Sequence, residues 1–261
     1  MDELTDDLIL LAARPDGRLD VPAKLRFGVS GSELVRLAAA RRVDVVRGRI
    51  VLLDNSPTGD SLLDEALGSM QEGRRPPTAK AWVARQRRNA ERHLDRLADA
   101  GTIRANGRKV LGFIPVIRWT ITDPARAAQA RARLEAIAAT TGSVDSAQAA
   151  LAGLATAIGV TPYVFPGVGG AGARRRLKEA GKRDPSAAAA ASAASDAATD
   201  AAVRGATDAA VSSATDAAIR AATDAAVAAS VDAATQAAIS AATDAATSAA
   251  HHGGGGAVGH H

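Results

Sequence analysis

Between Ser186 and Ala250, 33 of 65 residues are alanine. A unit Thr-Asp-Ala-Ala recurs there, beginning at Thr199, Thr207, Thr215, Thr223 and Thr243. Alanine favours helix. The starts lie multiples of four residues apart, and four overshoots the helical 3.6, so the pattern turns about 40° further around the axis with every four residues. No fixed apolar stripe results, and no large side chains are present to fill one. The expectation is a tail, residues 186–261, that is helical or disordered and does not dock on a core. The fold must then come from a body, residues 1–185.

The two parts differ in charge. The body holds 30 Lys+Arg and 21 Asp+Glu, a balance of +9, and the tail holds 2 Arg and 7 Asp, a balance of −5. A basic body points to anionic partners. There is no cysteine, which excludes disulfides, thiolate catalysis and Cys-ligated metal. The start, Met-Asp-Glu-Leu-Thr-Asp-Asp, is acidic and unlike a signal peptide. Alanine punctuated by Asp makes a poor membrane span. These features lead to the expectation of a cytoplasmic protein. Arginine outnumbers lysine 27 to 5, a codon bias expected of a GC-rich bacterial genome.

Helical spacing dominates the body. Leu4, Leu8 and Leu11 share a face, behind an acidic first turn. Ser30-Gly31-Ser32-Glu33 has capping-box spacing, which predicts a helix starting there and running to Arg41-Arg42. The β-branched runs Val43–Val46 and Ile50–Leu53 flank Arg47-Gly48 and predict a hairpin. Pro57-Thr58-Gly59-Asp60 leads into a helix carrying Leu62, Leu63, Ala66 and Leu67. Arg74 to Pro77 reads as a linker. One long helix is predicted from Ala79 to Ala100, stopped by Gly101. A second hairpin follows, turning at Asn106-Gly107. Asp123-Pro124 opens a helix to about Ala139, and another covers roughly Asp145 to Ile158. The fold class is mainly α: a compact helical domain, its helical core surrounded by amphipathic helices, with two short β-hairpins and an Ala-rich low-complexity tail.

Catalytic chemistry finds little support. His93 is the body's only histidine and reads as a partly buried structural residue rather than part of a triad. Asp64 and Glu65 are helix neighbours that do not face each other, so they read as surface charge rather than an acid pair. Gly167 to Gly172 fits G-x-G-x-x-G, but no strand pattern precedes it and no parallel sheet is predicted, so no dinucleotide site is assigned. The tail histidines, His251, His252, His260 and His261, are a weak metal motif or simply a flexible end. No catalytic residue, cofactor or metal is assigned.

The informative segment is Arg74 to Arg118, with 12 Lys+Arg against three acids, again +9. At about 100° per residue, Arg85, Arg88, Arg92 and Arg96 span about 80° of the predicted helix. Val83, Ala90, Leu94 and Leu97 take the other side. Guanidinium groups bind phosphate bidentately and stay charged, which suits anion recognition. The alternative is a solvated face partly neutralised by Glu91 and Asp95. Trp82 and Trp119 read as core, or else as membrane-interface anchors. A helix followed by a basic hairpin, with Arg104, Arg108 and Lys109 as a wing, is also the layout of a winged-helix nucleic-acid binder.

The run Ser56-Pro57-Thr58-Gly59-Asp60-Ser61-Leu62-Leu63-Asp64-Glu65-Ala66-Leu67 strongly resembles the Golgi phosphoprotein 3 family. Agreement continues at Glu3 to Leu11, Gly31 to Val43, Glu91 to Gly101 and Thr122-Asp123. It covers about residues 2–183, and the tail has no counterpart. The resemblance implies a helical domain that binds membranes peripherally through the phosphatidylinositol 4-phosphate head group. In eukaryotic members it implies a trans-Golgi adaptor for glycosyltransferase tails, a setting a bacterium lacks. It also implies a lipid pocket of one Trp and three Arg. The Trp position falls at Val21 or Pro22, and the Arg positions at Ser30, Arg87 and Ala90. One of four is kept, with Arg26 and Arg88 as candidates to compensate. Eukaryotic members self-associate through a longer first hairpin than the tight turn at Arg47-Gly48.

The expected function is therefore a non-enzymatic peripheral membrane protein. Arg85, Arg87, Arg88, Arg92 and Arg26 would bind anionic phospholipid head groups, helped by Arg74 and Arg75. Cytoplasmic tails of membrane proteins are further expected partners, and nucleic acid is the rival. Its location would be cytoplasmic with reversible membrane association.

Overall fold

The computed structural model describes residues 3–14, 16–19, 24–71, 76–110 and 114–252. It divides into two units, residues 1–202 and 203–261.

In the first unit, the centre is made by α1 (Leu4–Leu10), α2 (Leu25–Ala39) and α7 (Ser146–Ala157). Every residue of α1 is buried, including Asp6 and Asp7. Buried carboxylates need partners. Arg96 Nη2 lies 2.5 Å from Asp6 Oδ1, Arg126 Nη2 lies 3.2 Å from Asp6 Oδ2, and Arg133 Nη1 lies 2.7 Å from Asp7 Oδ2. The acids of the first turn thus anchor the helices that carry Arg96, Arg126 and Arg133 as well as serving as helix-end charges. Leu8, Ile9, Leu25, Leu34, Leu37 and Leu154 are almost wholly buried beside them, each contributing about 1.5–3 kcal/mol by leaving water.

The predicted capping box is not a helix start. α2 begins at Leu25, five residues before Ser30. Ser30 Oγ bonds back to the Arg26 carbonyl at 3.0 Å, Ser32 Oγ to the Val29 carbonyl at 2.7 Å, and Ser32 Oγ also meets Thr5 Oγ1 at 2.8 Å. Inside a helix a hydroxyl finds carbonyls one turn back, so these side chains were satisfied without capping anything.

The first hairpin forms as expected, β2 (Val43–Val46) with β3 (Arg49–Leu52). Arg47 and Gly48 both adopt positive φ, 51° and 75°, as a two-residue type I′ turn requires. The second hairpin, β4 (Ile103–Val110) and β5 (Ile114–Ile121), turns elsewhere than predicted. Its strands pair as far as Val110 opposite Ile114. Asn106 and Gly107 lie within β4, opposite Arg118 and Ile117, with Asn106 Nδ2 2.9 Å from Thr120 Oγ1. The ladder runs on through Arg108, Lys109 and Val110, opposite Val116, Pro115 and Ile114, and prevails over the local turn preference. A short strand, β1 (Arg18–Leu19), joins β5 to give sheet order β1-β5-β4.

Around the centre lie α3 (Ser61–Ser69), α4 (Ala79–Arg85), α5 (Asn89–Asp99), α6 (Pro124–Ala139), α8 (Thr161–Val164) and α9 (Ala171–Ala180). The Gly167–Gly172 segment runs from the α8–α9 connection into the first residues of α9, and the element immediately before it is the helix α8, not a strand. Trp82 is buried and Trp119 packs half-buried against the core.

The last helix, α10 (Pro185–His252), corrects the expectation of an undocked tail. Ala187, Ala190, Ala193, Ala194, Ala197 and Ala198 are at most 5% exposed. They follow the 3.6-residue period of a buried helix face. Two glycines let this face approach. A methyl group on Gly31 would stand 3.5 Å from Ala194 Cβ, and one on Gly153 3.3 Å from Ala191 Cβ.

In the second unit, the described side chains of α10 are exposed, among them Ile219, Val227, Val231 and Ile239. Thr223, Thr235 and Thr243 turn their hydroxyls to the carbonyl four residues back at 2.8–2.9 Å. Ser212–Asp244 is long and apolar enough to cross a membrane by length and composition, at mean hydropathy 1.2. Asp216, Asp224 and Asp232 interrupt it, and each costs roughly 2.5–3.5 kcal/mol at mid-membrane. Gly253 to His261, with His260 and His261 of the proposed metal motif, lie outside the described residues.

Candidate functional site: an arginine-lined cleft

The Ser56–Leu67 run builds one wall of a cleft. Asp60 Oδ1 caps α3, accepting from the amides of Leu62 at 3.0 Å and Leu63 at 3.4 Å. Its Oδ2 accepts from Arg36 Nη2 at 2.8 Å and lies 3.5 Å from Arg96 Nη1. Asp64 Oδ1 accepts from the Thr58 amide at 2.6 Å and hydroxyl at 2.7 Å. So Thr58, Asp60 and Asp64 serve folding: they start α3 and tie it to α2 and α5. Both carboxyls sit below the ordinary aspartate range. Burial pushes Asp60 up, but the Arg36 guanidinium and the Leu63 and Leu62 amides outweigh it. Asp64 is held down by the Thr58 amide and hydroxyl.

The opposite wall is where the sequence reading needs its main correction. The predicted helix from Ala79 to Ala100 is two helices, α4 and α5, separated at Gln86 to Arg88. No glycine or proline marks the break. Tertiary hydrogen bonds hold it open from both sides. On the α4 side, Ser69 Oγ accepts from Trp82 Nε1 at 2.9 Å and from Gln86 Nε2 at 3.1 Å. On the α5 side, Glu33 Oε2 accepts from Asn89 Nδ2 at 2.5 Å and Glu33 Oε1 lies 3.0 Å from His93 Nε2. His93 is fully buried, not partly, and its role is structural.

The break turns arginines into one place. A cleft of about 530 Å³ is lined by Glu33, Leu62, Glu65, Ser69, Arg85, Gln86, Arg87, Arg88, Asn89 and Arg92, among others. Arg85, Arg87 and Arg88 are exposed. Arg88 has only a loose neighbour in Glu91 at 3.9 Å, whereas Arg92 is paired with Glu65. Four of the five expected head-group residues therefore share a cleft. Arg26 is not among its lining residues, and its guanidinium stands 4.4 Å over the Phe27 ring. Arg96, fourth in the predicted row, is drawn off to Asp6 and Asp60.

Arg74, Arg75, Val21 and Pro22 lie outside the described residues. Of the other family-pocket positions, Ser30 and Ala90 are buried and Arg87 lines the cleft. Arg104 is exposed on β4. The helix that a winged-helix reading would set in a groove, α5, buries Asn89, Ala90, His93, Leu94 and Leu97. Sequence reasoning missed Ser69, Gln86 and Asn89, and gave Glu33 and Glu65 other roles. All five act across the fold, and nothing in their local spacing announces it.

Taken together, these observations define a mainly helical domain with a cationic cleft between α3 and the α4–α5 break. A family model described as Golgi phosphoprotein 3 (GPP34) matches residues 4–202, and the chain belongs to that family. No curated protein matches it.

Proposed function

We propose that the chain is a non-enzymatic peripheral membrane protein that binds anionic phospholipid head groups in the α3/α4/α5 cleft. The observation that carries the reading is the convergence of Arg85, Arg87, Arg88 and Arg92 on one cleft. Three of them are exposed and only loosely engaged, so they reach a phosphate without first breaking a strong pair. Each arginine near an anionic leaflet is worth roughly 1 kcal/mol, and salt weakens it.

Glu33 is tied on both carboxylate oxygens, which is a positioning role rather than that of a general base. The reading places the protein in the cytoplasm, reversibly on membranes, with cytoplasmic tails of membrane proteins as further partners.

Vesicle co-sedimentation tests it. Binding should favour vesicles containing an anionic phospholipid over purely zwitterionic ones, fall with added salt, and drop at least tenfold in the Arg87→Ala/Arg88→Ala double variant. Equal binding to both kinds of vesicle would reject the reading. So would tight, salt-sensitive binding to duplex DNA that Arg104→Ala weakens.

A further inference from the structure

A second cavity, of about 630 Å³, opens between α1, α6 and α7 and takes no part in the lipid reading. Its walls are largely apolar, with Leu4 from α1, Ala136 and Ile137 from α6, and Leu151 beside the neutral Gln148 from α7. Charge enters it from α1 and α6. Arg133 Nη1 donates to both Asp7 oxygens, at 2.9 and 2.7 Å, and Arg133 Nη2 lies 2.5 Å from Glu3 Oε2. One guanidinium is thus shared by two carboxylates, and the lining carries a surplus negative charge.

That surplus falls partly on a carboxylate removed from water. The Asp7 side chain is 9% exposed, whereas Arg133 is 42% exposed. Burial raises the Asp7 pKa by more than Arg133 lowers it, and the neighbouring charges of Glu3 and Asp6 push in the same direction as burial. A buried charge is tolerated when it is paired, and an arginine divided between two acids pairs this one incompletely. A second cation would complete it. The volume and lining say what that cation carries: cavities of roughly 300–1,000 Å³ with apolar walls and a few polar groups hold small molecules. We propose that this cavity binds a small organic cation, an ammonium group on a short apolar stem. The ammonium sits against Glu3 and Asp7, and the stem lies on Leu4, Ile137 and Leu151.

The test is calorimetry on the full chain with n-hexylamine, using n-hexanol and hexanoate as neutral and anionic controls. Hexylamine should bind saturably in the millimolar range and both controls more weakly. Butylamine should bind roughly tenfold more weakly, because two fewer methylenes are buried. Glu3→Gln should weaken hexylamine roughly two- to fivefold, the size a half-exposed ion pair supports. Ala136 is exposed, so Ala136→Phe should obstruct the cavity and abolish binding with the melting temperature unchanged. From about pH 6 to 4.5 hexylamine stays charged while Asp7 takes up its proton. Binding should therefore fall over that range, and fall less in Asp7→Asn. Hexanol or hexanoate binding as tightly as hexylamine overturns the proposal. So does wild-type affinity in Glu3→Gln or Ala136→Phe, an equal fall with pH in Asp7→Asn, or no saturable hexylamine binding by about 50 mM. None of these outcomes touches the lipid reading, which rests on other residues.

Discussion

Glu33 on α2 accepts from both ends of the first turn of α5: Asn89 Nδ2 at 2.5 Å on one oxygen, and His93 Nε2 at 3.0 Å on the other. All three residues are buried, so the bonds face no competition from water. This carboxylate fixes where α5 begins and thereby where Arg87 and Arg88 point. Replacing Glu33 by Ala would orphan two buried donors, at about 1–3 kcal/mol each. The urea midpoint should fall accordingly, and amides from Gln86 to Ala90 should exchange faster. A variant as stable as wild type would show that the break is held by other means.

Ser69 does the same for the end of α4. Its hydroxyl accepts from Trp82 and Gln86 and donates to the Ala66 carbonyl at 2.7 Å. In Ser69→Ala the Trp82 indole N–H, inside a 2%-exposed side chain, loses its acceptor. We expect a stability loss of about 1–3 kcal/mol and weaker vesicle binding, because α4 is freed to extend through Gln86 as its sequence prefers. Ser69→Thr keeps the hydroxyl and should recover the binding. If Ser69→Ala and wild type bind vesicles alike, the kink does not set the cleft.

How much of this was legible follows from the range of each interaction. The fold class, the first hairpin and the starts of α3, α6 and α7 rest on neighbours in sequence, such as Asp60 with Leu62 or Asp145 with Gln148. These could be read. The start of α2, the turn of the second hairpin and the α4–α5 break are set by contacts across the fold. Glu33 reaches His93 sixty residues away, and no local pattern encodes that. The arginines were found by composition. Their convergence depends on the break, and a continuous helix would have placed Arg96 among them and left Arg87 out of the row.

Acid stability separates two kinds of carboxylate. Asp60 and Asp64 have depressed pKa values in the fold. The unfolded chain then takes up their protons first as pH falls. Their contribution is complete above the unfolded value, about 3.9, and is lost as pH drops through the folded value. Asp7 behaves oppositely. Burial raises its pKa, outweighing the Arg133 guanidinium, so the native state takes that proton first and stability rises as pH falls toward 4. The urea midpoint should hold or rise slightly from about pH 6 to 4.5, then fall below about pH 4. Asp7→Asn should remove the rise, and Asp60→Asn should shallow the fall. A midpoint that already declines from about pH 6 would mean that other groups govern acid unfolding.

The crossing of α7 with the end of α9 depends on two glycines. A methyl group on Gly181 would stand 2.5 Å from Gly153 Cα and 2.8 Å from its nitrogen. Both are backbone atoms that cannot swing aside. Gly181 has φ −63°, so alanine suits its backbone and only the clash is tested. Gly181→Ala should cost about 1–3 kcal/mol. Gly142→Ala, with nothing within 4 Å of the added carbon, serves as the control and should change stability little.

Truncation locates where α10 stops contributing to the domain. Ala187, Ala190, Ala193, Ala194, Ala197 and Ala198 are buried, and Asp184 Oδ1 caps this start by accepting from the Ala187 amide at 2.8 Å. A buried methyl is worth about 0.8 kcal/mol, so removing this segment strips several kcal/mol and leaves Gly31 and Gly153 without their covering helix. A chain ending at Ala202 should melt within about 2 °C of the full chain. One ending at Asp184 should melt at least about 10 °C lower or fail to fold, as a loss of that size predicts. Equal melting of the two truncations would mean that the alanine face adds nothing to the domain. A large loss on ending at Ala202 would extend the stabilising segment into the repeat beyond it.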